Sequence, residues 1–243
     1  MRIYRIKEWW YYLGFVLLGA LAGKTSLKDF LISALSAFFI GCFSFSFNEF
    51  ADKNLPFQFL KYPLITLGLA LITLFFLPPL KKFLVTFLLI LGFFYSFPLF
   101  PLKKIPFLGT LINGVGFPLL ILLGSGRKEV LYLCLTFFFL CLTAQLIHEY
   151  THQSEDEERG IISTAVKLGE KGKNFLFLLL LPPLYFSFYI SFISPAFVFL
   201  MFLTLFNFRR KDFIFLRRIY RMENFIFGIY LLQYYMICSF KRM

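Results

Sequence analysis

The sequence predicts an all-α, polytopic membrane protein: about nine transmembrane helices in one bundle around a central polar cavity, a single domain over residues 1–243. Three observations predict it. The chain is 59% hydrophobic and contains 38 Phe, more apolar surface than a water-soluble domain of 243 residues can bury. Mostly apolar runs of roughly 15–22 residues recur along the whole length, long enough to cross a hydrocarbon core. Finally, the basic residues concentrate in alternate connections between those runs, as they do when one membrane face is cytoplasmic.

The apolar runs lie near residues 9–23, 28–47, 62–80, 82–99, 106–124, 128–147, 174–193, 195–208 and 222–240. Basic "MRIYRIK" ahead of an apolar stretch ending in Ala20-Leu21-Ala22 has the outline of a secretion signal. The segments that follow are equally apolar, which favours an uncleaved first span. Pro118, Pro182 and Pro183 fall inside spans and should kink them, with neighbouring helices re-satisfying the freed carbonyls. Cys42, Cys134, Cys141 and Cys238 all sit in apolar runs without C-x-x-C spacing, so buried free thiols are expected.

The N-terminus and the connections after the second, fourth, sixth and eighth spans hold most of the Lys and Arg, including Lys53, Lys103, Lys104, Arg159 and the 209–221 cluster. The other side has Lys24, Lys28, Lys81, Lys82, Arg127, Lys128, Lys241 and Arg242. The N-terminus and the acidic loops are therefore expected on the cytoplasmic side of a cell (inner) membrane. The net charge of +12 reflects topology and attraction to anionic lipid heads, with no call for nucleic acid.

Acidic residues number only 13, and more than half occupy two cytoplasmic helix ends. Charges there are costly unless they have a partner, which makes them functional candidates. "NEFAD" (48–52) and "HEYTH" (148–152) both read polar, Glu, aromatic, small, polar. Each closes an even-numbered span, as an internal pseudo-repeat would. Asn48 and Asp52 share a helix face, as do Glu149, His152 and Asp156 if their helix continues. Such oxygen-rich faces suit Mg²⁺, which takes one or two carboxylates and completes its shell with water and phosphate. His148-Glu149-x-x-His152 also spells the zinc-protease pattern, with Glu149 as general base. The chain has only two His, and that pattern leaves the other motifs unexplained.

"NEFADKN" resembles the first aspartate-rich motif, N-D-x-x-D-x-x-x-D, of the UbiA family of intramembrane prenyltransferases. "HQSEDEERGIISTAVKLG" (152–169) resembles the second, with Gly160, Ser163, Thr164 and Leu168-Gly169 in register with Asp156. "YSFPLFPLKK" (95–104) is similar to a Y-S-x-P-P-x-x-L-K-R loop of the chlorophyll, homogentisate and geranylgeranylglyceryl-phosphate branches, and "KYPL" (61–64) to a K-N-P-L segment. Three positions depart from the pattern: Glu49 replaces an aspartate, Pro56 stands where a third aspartate would fall, and His152 replaces the leading acid of the second motif.

The resemblance implies Mg²⁺-dependent transfer of a prenyl group from a prenyl diphosphate to a lipophilic acceptor. It implies Asn48, Glu49, Asp52, Glu149 and Asp156 as metal ligands, and Lys53, Lys103, Lys104 and Arg159 on the diphosphate. Asp52, Asp156 and Tyr95 are the expected catalytic residues. A catalytically silent homologue that binds isoprenoid lipid is the alternative that Pro56 and His152 keep open.

Overall fold

The computed structural model describes residues 2–158, 160–179, 181–189 and 212–240. Every regular element among them is helical. The chain forms two compact units, Met1–Lys103 with Leu119–Val130, and Lys104–Pro118 with Leu131–Met243.

In the first unit the chain starts with a strap of one-turn helices, Arg2–Tyr4, Ile6–Trp9 and Trp10–Tyr12. Four long elements follow: α1 (Leu13–Ala22), α2 (Leu27–Asp52), α3 (Lys61–Thr73, continued by short turns over Phe57–Phe76) and α4 (Pro79–Ser96). Sequence sets the helix ends. Ser26 caps α2 by accepting the Asp29 N–H at 3.2 Å. Pro79 starts α4, where its missing N–H costs nothing. Helix α2 stops where Asn54 takes a left-handed φ of 46°, and the Leu55 N–H closes back on the Phe50 carbonyl at 3.2 Å.

Helix α2 packs against both α3 and α4. The core between them holds Ile40, Phe43, Phe47, Val85, Leu88 and Leu89, with the Phe47 and Phe93 rings stacked 5.1 Å apart. The opposite face of α3 exposes Ile65, Leu69, Ile72 and Phe75, as a lipid-facing helix does. Buried hydroxyls return to their own helix: Ser46 donates to the Cys42 carbonyl at 2.6 Å and Thr73 to the Ala70 carbonyl at 2.6 Å.

Small residues let α1 approach the end of α5 (Leu108–Ser125) backbone to backbone. A Cβ on Gly19 would strike the Ile121 carbonyl, and one on Gly124 would strike that of Val16. The Gly124 carbonyl, freed at the helix end, accepts Thr25 Oγ1 at 3.1 Å and Lys81 Nζ at 3.2 Å. Lys81 also donates to Ser33 Oγ at 2.9 Å and is 3% exposed. Lys81, counted with the basic residues of the less basic membrane side, is thus a buried clasp.

In the second unit α6 (Leu131–Thr151) is the hub. Around it pack α8 (Thr164–Leu168), α9 (Lys171–Leu179), α10 (Leu181–Tyr189) and α11 (Phe213–Phe240), with the short α7 (Gln153–Glu158) preceding α8. Tyr220 of α11 donates to the Leu140 carbonyl at 3.0 Å, and the Phe137 and Phe227 rings lie 5.8 Å apart. Pro118 lies inside α5 at the junction of the two units.

Five helical segments among the described residues are long and apolar enough to cross a membrane: Leu27–Asp52, Phe57–Phe76, Pro79–Ser96, Leu108–Ser125 and Lys128–Thr151. The expected first span is shorter than drawn, since α1 has ten residues. The expected span at 195–208 lies outside the described residues, as does the end of that at 174–193. The one expected at 222–240 falls within α11, whose first turns carry Arg217, Arg218 and Arg221.

Candidate functional site

Two polar helix ends hold the candidate site residues, one in each unit. In the first unit, Asn48, Glu49 and Asp52 occupy the last turn of α2. The helix dipole is negative there, so carboxylates on that turn need cations nearby. They have three. Lys103 Nζ donates to Asn48 Oδ1 at 2.8 Å and pairs with the Asp52 carboxylate. Lys53 pairs with Glu49, and an Arg5 guanidinium nitrogen lies 3.8 Å from the same carboxylate. Ser96, the last residue of α4, donates its hydroxyl to Asn48 Oδ1 at 2.6 Å.

Asn48 and Asp52 thus turn their oxygens onto one cationic atom, the Lys103 ammonium. Oxygen donors arranged in this way also suit a hard cation such as Mg²⁺. Tyr95 is half-buried at the end of α4, beside Ser96. Sequence reasoning missed Ser96 and Arg5. The "YS" of "YSFPLFPLKK" was the available signal for the first; nothing in the sequence flagged the second.

Arg5 is placed by the strap. Trp9, 2% exposed, seats its ring against Gly41, where a Cβ would collide with it, and stacks on Phe45 at 5.8 Å. Its indole N–H donates to the Tyr4 carbonyl at 2.7 Å. Arg5 itself has φ 46° and lies 5.9 Å above the Phe45 ring. It donates to Glu8 at 2.9 Å and holds that carboxyl below its ordinary range.

In the second unit the expected shared face of Glu149, His152 and Asp156 is interrupted. Helix α6 ends at Thr151, His152 is a turn residue, and Asp156 lies on the separate α7. Glu149 spends both oxygens on neighbours. Oε1 accepts Thr110 Oγ1 at 2.6 Å and Gln145 Nε2 at 3.2 Å. Oε2 accepts the Thr164 N–H at 3.0 Å and the Ala165 N–H at 3.3 Å. Ser163 holds the N-cap position of α8 without a cap bond of its own, so Glu149 supplies that cap.

Asp156 behaves differently from Glu149. It is half-buried, and its carboxylate has no hydrogen-bond partner among the described residues. The neighbouring acids are exposed: Glu157 accepts Gln153 at 2.8 Å, and Glu155 lies 3.4 Å from His152. Lys104 is exposed, and Arg159 lies outside the described residues.

The two histidine rings of the zinc pattern lie edge to face, 4.9 Å apart at 84°. The Glu149 carboxylate, which that pattern needs as a free base, is engaged by four donors. Among the described residues no three His, Cys, Asp or Glu side chains gather as a metal-binding group. Magnesium at these residues would complete its shell with Asn48, water and phosphate oxygens.

Fold and helix ends define a multi-pass helical membrane protein with two polar motifs. The sequence profile of the UbiA prenyltransferase family matches residues 56–227, and the chain belongs to that family. No curated protein matches it in sequence. Among solved structures, a digeranylgeranylglyceryl phosphate synthase is similar at TM-score 0.76 and 15% identity, over 96% of this chain and 95% of that one. A UbiA homologue from Archaeoglobus fulgidus bound to GPP and Mg²⁺ gives 0.69 and 16%, over 98% and 99%. An apo UbiA homologue from Aeropyrum pernix K1 gives 0.70 and 15%, over 97% and 98%.

Proposed function

We propose that this protein transfers a prenyl group from a prenyl diphosphate to a lipophilic acceptor within the membrane, with residues 1–243 acting as one catalytic domain. The observation that carries this reading is the convergence of Asn48 and Asp52 on the Lys103 ammonium. Family membership supplies the reaction class. The related structures with GPP or DMAPP and Mg²⁺ support the donor class and the metal. The cell (inner) membrane is the proposed location, with the N-terminus and acidic loops cytoplasmic, as the Lys and Arg distribution suggests.

Asn48, Glu49 and Asp52 are the proposed Mg²⁺ ligands of the first motif, and Asp156 is that of the second motif. Mg²⁺ held by these residues would supply charge neutralisation on the diphosphate as the allylic C–O bond breaks. Lys103 releases Asp52 and turns its ammonium to the diphosphate oxygens, joined by Lys53, Lys104 and Arg159. Tyr95 presents an aromatic face to the allylic cation, worth about 0.5–2 kcal/mol. The Phe-rich helices exclude water, which would otherwise capture that cation.

The test uses purified protein, Mg²⁺, farnesyl or geranylgeranyl diphosphate, and a panel of quinone, tetrapyrrole and glycerophosphate acceptors. Diphosphate release that requires both Mg²⁺ and an acceptor is expected. Binding of prenyl diphosphate with no release for any acceptor would overturn the catalytic reading in favour of lipid binding alone.

A further inference from the structure

We propose that Glu149 is a positioning residue that ties two turns to the end of α6, the second-motif turn before α8 and the turn before α5; its activity arm rests on the prenyl-transfer reading above. Its carboxylate joins three stretches of chain that are distant in sequence. From α6 it accepts Gln145 one turn back. From the start of α5 it accepts the Thr110 hydroxyl. From the start of α8 it accepts two backbone N–H groups.

The link extends one step further. Thr110 and Thr164 hydroxyls lie 2.6 Å apart, and Thr164 Oγ1 accepts the Phe107 N–H at 2.9 Å. Phe107 sits at φ 66°, a left-handed conformation that a non-glycine residue holds only when its surroundings fix it. Thr110 and Thr164 are 6% and 4% exposed, so water does not replace these bonds. The Lys167 ammonium lies 5.5 Å from the Phe107 ring centre and adds a second tie.

Functional consequences follow from what the knot encloses. Residues 152–163 leave α6 and return to it at Thr164, so the Glu149 bonds close the base of the loop that carries Asp156. Residues 105–110 follow Lys104 directly, so the same carboxylate fixes the turn behind that lysine. A ligand role for Glu149 would require it to abandon four donors, two of them backbone N–H groups without another described acceptor. Asp156 has no such commitment. The "STAV" segment also gains a physical reason: Thr164 gives its N–H to Glu149 and its hydroxyl to the Phe107–Thr110 turn.

Glu149→Gln separates positioning from metal binding. A Gln carbonyl can accept the Thr164 and Ala165 N–H groups while its NH₂ donates to Thr110 Oγ1, with the Thr110 hydroxyl turned onto Thr164 Oγ1 and the Gln145 amide flipped to present its oxygen, so the geometry survives without the charge. Full-length protein in detergent is measured in two ways: amide exchange over residues 105–110 and 161–168, and diphosphate release per folded molecule as Mg²⁺ is varied. Glu149→Ala is expected to speed exchange at Thr164 and Ala165 by about tenfold, the loss of roughly one hydrogen bond each, and to speed it at Phe107 by loosening the Thr164 hydroxyl that accepts its N–H. It should lower kcat/KM about 10–100-fold, the usual range for residues that orient a site. Glu149→Gln should restore most of both.

Two results overturn the proposal. One is unchanged exchange in Glu149→Ala. The other is a Glu149→Gln variant whose half-saturating Mg²⁺ rises as far as in Glu149→Ala, which is the behaviour of a lost ligand. Should Glu149→Ala not accumulate, Thr164→Val keeps the carboxylate and removes only the hydroxyl. Positioning then predicts faster exchange at Phe107 and lower kcat/KM, whereas a ligand role predicts kcat/KM within twofold of the parent. If the parent protein releases no diphosphate with any acceptor, the prenyl-transfer reading fails, and the exchange measurements still decide whether Glu149 holds the turns.

Discussion

Lys103→Gln is the sharpest probe of the first motif because Lys103 has two roles with opposite signs. Without substrate, its ammonium holds the oxygens that Mg²⁺ needs: Asn48 Oδ1 at 2.8 Å and the Asp52 carboxylate. On the proposed reading it turns to the diphosphate once substrate binds. The side chain of Asp52 is 47% exposed and that of Lys103 18%, so solvent screens the pair and its worth is about 0.5–1 kcal/mol. Removing the ammonium therefore frees Asp52 for Mg²⁺ and lowers the half-saturating Mg²⁺ by about 2–5-fold. The same substitution removes a cation from charge that develops in the transition state. That loss should cut kcat/KM by at least about tenfold and exceeds the ligand-side gain. The assay is diphosphate release at several Mg²⁺ concentrations, with Lys104→Gln as the exposed neighbour for comparison. Unchanged Mg²⁺ dependence together with kcat/KM within twofold would mean that Lys103 merely marks membrane orientation.

Asp156→Asn should lower kcat/KM by about 100-fold or more, the cost of losing charge stabilisation at the reacting centre, while Glu157→Gln, altering an acid already bonded to Gln153, should stay within twofold. Gly124→Ala forces a Cβ against the Val16 carbonyl, and because backbone cannot swing aside it should cost about 1–3 kcal/mol. Thermal unfolding in detergent should fall by several degrees, with Gly68→Ala, where no atom lies within 4 Å of the added Cβ, as the unaffected control. The strap should respond to acid. Arg5 lowers the Glu8 carboxyl from its ordinary value of 4.5, so the Arg5–Glu8 contribution is in place above that value and is lost as pH falls through the lowered one. The chain's two tryptophans, Trp9 and Trp10, both lie in the strap, so their emission should hold steady through neutral pH and shift only below pH 4.5.

The sequence exposed the class of fold because membrane spans are written in local composition. Phe57–Phe76 and Lys128–Thr151 are mostly apolar runs, and no distant partner is needed to recognise them. The first motif was legible for a similar reason: Asn48 and Asp52 are four residues apart on a helix that continues through both. The second motif was legible only in part. The shared face of Glu149, His152 and Asp156 presumed an unbroken helix, and the break at His152 carries no glycine or proline to announce it. The role of Glu149 depends on Thr110, Gln145 and Thr164, two of them far away in the chain. Lys81 misled in the opposite sense. Its position between apolar runs suited a surface cation, but the Gly124 carbonyl that draws it inward becomes available only once α5 has ended beside it.

The seat of Trp9 against Gly41 has a consequence for biogenesis. A ribosome releases Trp9 well before Gly41, so the indole has no socket when it first reaches the bilayer surface. Docking must wait until α2 has been inserted, and Arg5 acquires Glu49 as a neighbour only then. An insertion defect in α2 would therefore leave the first dozen residues open to proteases. Cleavage there would report how far assembly had gone, independently of any turnover.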